Sequence, residues 1–170
     1  MKRLISAIAL TLFLFLLAGC APGSGRQIAP DFLSATIDGE TFALKDRLGR
    51  QGENKAMIVA FFNTGCAACR EDLRYLQEIQ HEYGNDGLDV ICVFAGRAGN
   101  ADKAKKYMRD LGLTLPVVTD ENGTIRKRYN VTGLPCQYVI DREGFVTFRS
   151  LGCSDAVKAK IEGHLRELLS

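Results

Sequence analysis

The chain has 170 residues, with 22 Lys or Arg set against 20 Asp or Glu. So even a balance leaves no basic stripe and argues against a nucleic-acid partner. The length suits one domain with a full core rather than several domains.

Residues 1–19 read as an export signal. Lys2 and Arg3 form its positive start, and Leu4 to Leu17 is apolar apart from Ser6 and Thr11. The stretch is too short and too sharply ended for an ordinary membrane span. Leu17-Ala18-Gly19-Cys20 resembles a bacterial lipobox, which implies cleavage before Cys20 and lipidation of its thiol. A plain secretory signal and a retained transmembrane anchor are the alternatives. Lipid on Cys20 would hold the protein on the outer side of a bacterial membrane, since each buried methylene contributes roughly 0.8 kcal/mol. Ala21 follows Cys20, so the aspartate that retains many Gram-negative lipoproteins at the inner membrane is absent. Loss of residues 1–19 leaves 151 residues carrying 20 charges of each sign. The six cysteines fit an oxidising, extracytoplasmic compartment. With Cys20 acylated, five remain, so at least one thiol is unpaired within a monomer.

Residues 20–28 are expected to be the lipidated cysteine and a flexible Gly/Pro/Ser tether, and residues 29–170 the domain. Phe32 to Ile37 and Glu40 to Leu44 read as short strands around Asp38-Gly39. Lys45 to Gly52 is polar, a short helix and loop. Lys55 to Phe62 is almost purely apolar, as a strand buried on both faces should be. Leu73, Leu76, Ile79 and Gln80 recur at helical spacing, predicting a helix over 67–83 that Gly84 ends. Leu88 to Ala95 is a second buried strand, and Asp102 to Leu111 an amphipathic helix stopped by Gly112. A short extended piece, Leu115 to Val118, precedes a polar helix from Glu121 to Tyr129. Cys136 to Ile140 and Phe145 to Leu151 form a hairpin, and Ser154 caps a last helix reaching Leu169. Helices alternating with buried strands predict an α/β fold, a mixed central sheet covered on both faces.

Cys66-Ala67-Ala68-Cys69 stands where the apolar strand passes into the helix. Thiols one helical turn apart can close into a small disulfide ring and reopen. A helix N-terminus carries partial positive charge and unpaired N–H groups, which favour a thiolate. The arrangement reads as a dithiol redox site. Cys66, nearer the tip, is the expected nucleophile and Cys69 the resolving thiol. A structural bridge would join distant segments to remove loop entropy, and this ring constrains little. Zinc would need two further ligands at suitable spacing. His81 and His164 are the only histidines, and both sit among polar helical residues, read as solvated surface. No metal site is therefore expected. Cys92 lies inside a hydrophobic strand and reads as a small core residue.

Markers spread along residues 29–170 resemble the thioredoxin superfamily, in particular the membrane-anchored thiol–disulfide oxidoreductases of the TlpA/ResA group. They are Ala29-Pro30-Asp31-Phe32, the segment Phe61 to Cys69, Val117-Val118-Thr119-Asp120, Val131-Thr132-Gly133-Leu134-Pro135, and Val139 to Gly144. The resemblance implies a thioredoxin-like fold with an N-terminal β-hairpin extension and a βα insertion. It also implies a cis bond before Pro135, with the Leu134 backbone free to pair with a substrate chain. Asp72 stands where that group often has a glutamate thought to exchange protons with the thiols. A first-turn acid favouring the helix dipole is the alternative reading, and neighbouring Glu71 reads as solvated. The buried acid of thioredoxin itself maps near Ala60 and is missing here. Gly65 replaces the family's usual Trp before the first cysteine, which uncovers the site. Cys136 and Cys153 are expected near one another, as a second disulfide or as two separate thiols.

The leading expectation is an extracytoplasmic, membrane-tethered enzyme that reduces protein disulfides, as in cytochrome c maturation. It would be a monomer needing no cofactor beyond its redox-active disulfide, recharged by a transmembrane electron donor. One alternative is a copper(I)-binding or assembly module in which Cys66, Cys69 and Cys136 converge on an ion. Another is a thiol peroxidase, although Asn63 stands where peroxiredoxins carry Thr and no Pro precedes it.

Overall fold

The computed structural model describes residues 26–48, 53–96 and 100–170. The signal-like residues 1–19, Cys20 and most of the tether lie outside the described residues. In chain order the elements are β1 (Gln27–Ile28), β2 (Leu33–Ala35), β3 (Thr41–Ala43), α1 (Leu44–Arg47), β4 (Ala56–Phe62), α2 (Ala67–Tyr83), a 3₁₀ turn (Gly84–Asp86), β5 (Leu88–Phe94), α3 (Ala101–Asp110), β6 (Val117–Thr119), α4 (Thr124–Arg128), β7 (Cys136–Asp141), β8 (Phe145–Leu151) and α5 (Asp155–Leu169).

Every residue of β4, β5 and β7 is buried, which explains their nearly unbroken apolar sequence. The sheet runs β1-β8-β7-β4-β5-β6. β4 pairs parallel with β5 and antiparallel with β7, so the sheet is mixed, as expected. Between β5 and β7 lie α3, β6 and α4. β2 and β3 form a separate two-stranded sheet, joined to β6 by a bridge between Thr36 and Val118.

Alternation along β4 divides the core. Ile58, Ala60 and Phe62 pack with Leu73, Leu76 and Ile79 of α2, Met108 of α3, and Ile161 and Leu165 of α5. Met57, Val59 and Phe61 face the other way, toward Phe32, Phe42, Leu44, Ile125 and Tyr129. Ser154 caps α5, its side chain accepting from the Val157 N–H.

The structure corrects two boundaries. Gln27 and Ile28 were expected in the tether but form β1, paired antiparallel with Val146 and Phe145. Arg26 anchors that edge through an ion pair with Asp141 at 2.9 Å, and its guanidinium lies over the Phe145 ring. The polar helix expected from Glu121 is confined to Thr124–Arg128. Its start is set by Asp120, whose carboxylate accepts from the Ile125 and Arg126 N–H groups, and by Gly123 at φ +68°. Among the described residues, no helix is long and apolar enough to cross a membrane.

Candidate active site

Asn63 holds the turn that carries the chain from β4 into α2. Its side-chain amide donates to the Ala95 carbonyl at 2.9 Å, and its side-chain oxygen accepts from the Gly65 N–H at 3.1 Å. Its backbone carbonyl accepts from the Cys66 N–H at 3.2 Å. These contacts seat Cys66 as the N-cap of α2, where Sγ accepts from the Cys69 N–H at 3.1 Å. Cys66 and Cys69 are joined by a disulfide, with Cα atoms 5.2 Å apart. The two sulfurs are not equivalent: Cys66 is half-buried, whereas Cys69 is 0% exposed. An incoming thiol or disulfide therefore meets Cys66 first.

A cavity of about 380 Å³ adjoins this turn, lined by Thr64, Gly65, Arg70, Lys103, Lys106 and Tyr107 together with Asp110. Arg70, Lys103 and Lys106 bring positive charge to its wall, and Asp110 pairs with Lys106 at 2.7 Å. Gly65 is exposed, and a Cβ there would meet only the side-chain oxygen of Asn63, at 3.8 Å. The backbone does not demand glycine at this position. Its effect is to leave the approach to Cys66 without a side-chain cover.

The register of β7 on β4 opposes Cys136 to Phe61. Leu134 and Pro135 therefore meet the same end of the sheet as the Asn63–Cys66 turn. The Leu134–Pro135 peptide bond is cis, and the Pro135 carbonyl accepts from the Gly152 N–H at 2.9 Å. Pro135 is buried, while Leu134 is half-buried and touches both halves of the core.

Asp72 sits one turn beyond Cys69 on α2 and is 2% exposed. Gln137 Nε2 donates to its Oδ1, and the Cys153 thiol lies near enough to favour the ionised carboxylate. Burial pushes its pKa up to about 7, against the opposing pull of Cys153, Gln137 and Lys158. Ser150 Oγ in turn donates to Gln137 Oε1. Gln137 and Ser150 are partners across the β7–β8 pair, and Gln137 also faces Ala60 across β7 and β4. Polar side chains thus lie beside the position where thioredoxin's own buried acid maps, but on the neighbouring strand. Sequence reasoning passed over both residues. The available signal was one polar residue, Gln137, inside an otherwise apolar strand. Glu71, exposed as expected, pairs with Lys158 at 3.3 Å.

The expected alternatives for Cys136 and Cys153 resolve into separate thiols. The reason is strand alternation. Cys136 is buried on the aromatic side with Phe61 and Tyr138, whereas Cys153 contacts Asp72 on the α2 side. Burial raises the Cys136 thiol pKa, and burial together with the Asp72 charge raises that of Cys153 to about 11. The same placement separates Cys136 from the Cys66–Cys69 pair, so the three sulfurs do not converge as copper(I) ligands. Among the described residues, no group of three or more His, Cys, Asp or Glu could hold a metal ion. Cys92 is fully buried, and burial raises its pKa. His81 is exposed, but His164 is not simply solvated: its ring stacks on Phe148 with centroids 4.9 Å apart.

The chain matches the AhpC/TSA family over residues 26–149. It is 29% identical over 140 residues to thiol-disulfide oxidoreductase ResA of Bacillus thuringiensis (strain Al Hakam), covering 82% of this chain and 76% of that protein. It is 32% identical over 124 residues to thioredoxin-like protein YneN of Bacillus subtilis (strain 168), covering 71% and 67% respectively. The crystal structure of a thiol:disulfide interchange protein of the thioredoxin family from Chlorobium tepidum TLS superposes with a TM-score of 0.71 at 25% identity. That superposition covers 86% of this chain and 99% of the other.

Proposed function

Because the chain belongs to the AhpC/TSA family, as a thioredoxin-fold thiol–disulfide oxidoreductase of the ResA/TlpA type, we propose that it reduces disulfides of proteins outside the cytosol. Lipid on Cys20 tethers it to a membrane, and a transmembrane electron donor restores its dithiol. Oxidised protein cysteines, including those of cytochromes c awaiting haem, are the substrates. The observation that carries this reading is the unequal sulfur pair: an accessible Cys66 at a helix tip backed by a fully buried Cys69.

The steps follow from that inequality. In the reduced form, the Cys66 thiolate attacks one sulfur of the partner's disulfide, the partner S–S bond breaks, and the released thiolate takes a proton. The product is a mixed disulfide at Cys66. The Cys69 thiol then loses its proton and attacks the Cys66 sulfur. The Cys66–Cys69 bond forms, and the second partner sulfur leaves as a thiolate that is protonated. Two electrons pass from the dithiol to the partner. Asp72, one turn away with a pKa of about 7, is the proton acceptor for Cys69 near neutral pH. The Leu134 backbone beside cis-Pro135 aligns the partner chain.

An insulin-reduction assay tests the mechanism: Cys66→Ser should abolish turnover, and unchanged activity in that variant removes the proposal. Ala67-Ala68 favours neither direction of electron flow, so the reduction potential of the 66/69 pair tests the reducing role. A low value supports a reductase, and a value in the range of strong oxidants reverses the assignment. Radiolabelled fatty acid should enter the full chain and fail to enter Cys20→Ser.

A further inference from the structure

Asp72 could not have been left to find its own orientation in the core. A carboxylate removed from water is costly unless its oxygens are matched. Three elements converge on it. Gln137 on β7 donates to Oδ1, Cys153 in the β8–α5 connection lies near enough to favour the ionised carboxylate, and Lys158 of α5 supplies positive charge. Gln137 is itself 0% exposed, and its other polar end is occupied by Ser150, which is 6% exposed. Both ends of the amide are therefore tied, one to the acid and one to a hydroxyl on the neighbouring strand.

We propose that Gln137 is a positioning residue for Asp72, braced by Ser150, and that this pair sets how readily the acid accepts the Cys69 proton. The inference rests on the proton-exchange reading of Asp72 given above. Its physical basis is directional. An amide N–H on Oδ1 stabilises the ionised carboxylate and leaves the acid proton to Oδ2. Ser150, by donating to Oε1, stabilises the amide orientation that presents nitrogen to the acid. The hydrogen bonds of Gln137 run to Asp72 and to Ser150, so its influence on the chemistry passes through Asp72. The titratable or charged groups acting on or sensing Asp72 are Cys153 and Lys158 from the α5 side, Cys136 on β7, Cys92 on β5, and Glu71 and Tyr75 on α2. None of these is altered by substitution of Gln137 or Ser150.

The test uses the mature protein and two readouts. In the oxidised form, where Cys66 and Cys69 do not titrate, carbon-13 NMR of the Asp72 carboxyl reports its midpoint directly. In turnover with insulin, the pH profile of kcat reports proton uptake, and KM reports docking. Gln137→Leu should move the Asp72 midpoint upward by about one pH unit, the value expected for losing one bond to a charged acceptor. The rising limb of the kcat profile should move with it while KM stays unchanged. Ser150→Ala deletes only a hydroxyl and should move both in the same direction by less; it carries the test alone if Gln137→Leu does not fold. An unmoved Asp72 midpoint in the folded variants overturns the inference. Asp72→Asn separates it from the reading beneath it. If the kcat profile is unchanged in Asp72→Asn, proton exchange by Asp72 fails, whatever the NMR midpoint shows for Gln137.

Discussion

On the α2 side of the sheet, Asp72, Gln137 and Ser150 lie buried beside a core of mixed aliphatic and aromatic side chains, whereas on the opposite side Phe32, Phe42, Phe61, Tyr129 and Tyr138 form one continuous set of ring contacts. The ring centroids on that second side are 4.9–6.2 Å apart. Each side has polar atoms, but they serve different ends. The Tyr138 hydroxyl donates to the Tyr129 carbonyl, tying the end of α4 to β7 just ahead of the segment that leads to cis-Pro135. No charge is buried in that contact. On the α2 side a titratable carboxyl is buried beneath the disulfide, and burial has pushed it toward neutral pH. Buried acids elsewhere are matched by a cation or by backbone N–H groups: Asp89 by Arg47, Asp141 by Arg26, and Asp120 by the start of α4. Asp72 is the acid placed one turn from the sulfur pair, where burial raises its pKa.

Substitutions on the two sides should therefore fail in different ways. The largest effect belongs to Cys69→Ser, which should cut multiple-turnover reduction by roughly 10³-fold or more while leaving the fold intact. Mass spectrometry should find the partner held on Cys66 as a mixed disulfide, and full turnover would break the division of roles between the sulfurs. Phe61→Ala is the converse. It removes a fully buried ring from the aromatic side and should cost ~3–5 kcal/mol in urea denaturation. The Asp72 midpoint of the folded fraction should not move; a shift would mean that the two sides are coupled.

Asp72→Asn comes next, and its sign changes the usual expectation for a carboxylate. The group titrates near 3.8 when unfolded and near 7 in the fold, so the folded state binds more protons between those values. Its stabilising contribution is complete below pH 3.8 and is lost as pH rises through 7. The asparagine variant should thus be more stable than the parent at pH 8, by ~2–4 kcal/mol, with the gap narrowing as pH falls toward 4. Denaturation curves that coincide at pH 8 would remove the claim of a costly buried acid. The smallest effect is expected at Ser154→Ala, which removes only the side-chain cap on α5, at about 1 kcal/mol of stability. Activity per folded molecule should remain at the parent level.

Much of the architecture could be read along the chain. The unbroken apolar run before Cys66 marked β4, and Gly84 and Ser154 marked the end of α2 and the start of α5. These are local signals, set by burial on both faces or by unpaired backbone groups at a helix end. β1 was missed because two residues have no periodicity to detect. Gln27 and Ile28 are extended only because β8 offers them an edge. Cys136 and Cys153 could not be placed on opposite sides without knowing which residues of β7 face α2. His164 appeared solvated for a similar reason, since its partner Phe148 comes from a different element.

The chain by itself determined the redox chemistry and the class of fold. A C-x-x-C at a strand-to-helix junction carries its own reactivity, because the helix end polarises whatever sulfur caps it. Only the tertiary structure decided the surroundings of that sulfur pair. The protonation of Asp72 and the contacts made by Gln137, Ser150 and Cys153 depend on water excluded by several distant segments packing together. Desolvation belongs to the assembled core, and no single stretch of sequence contains it.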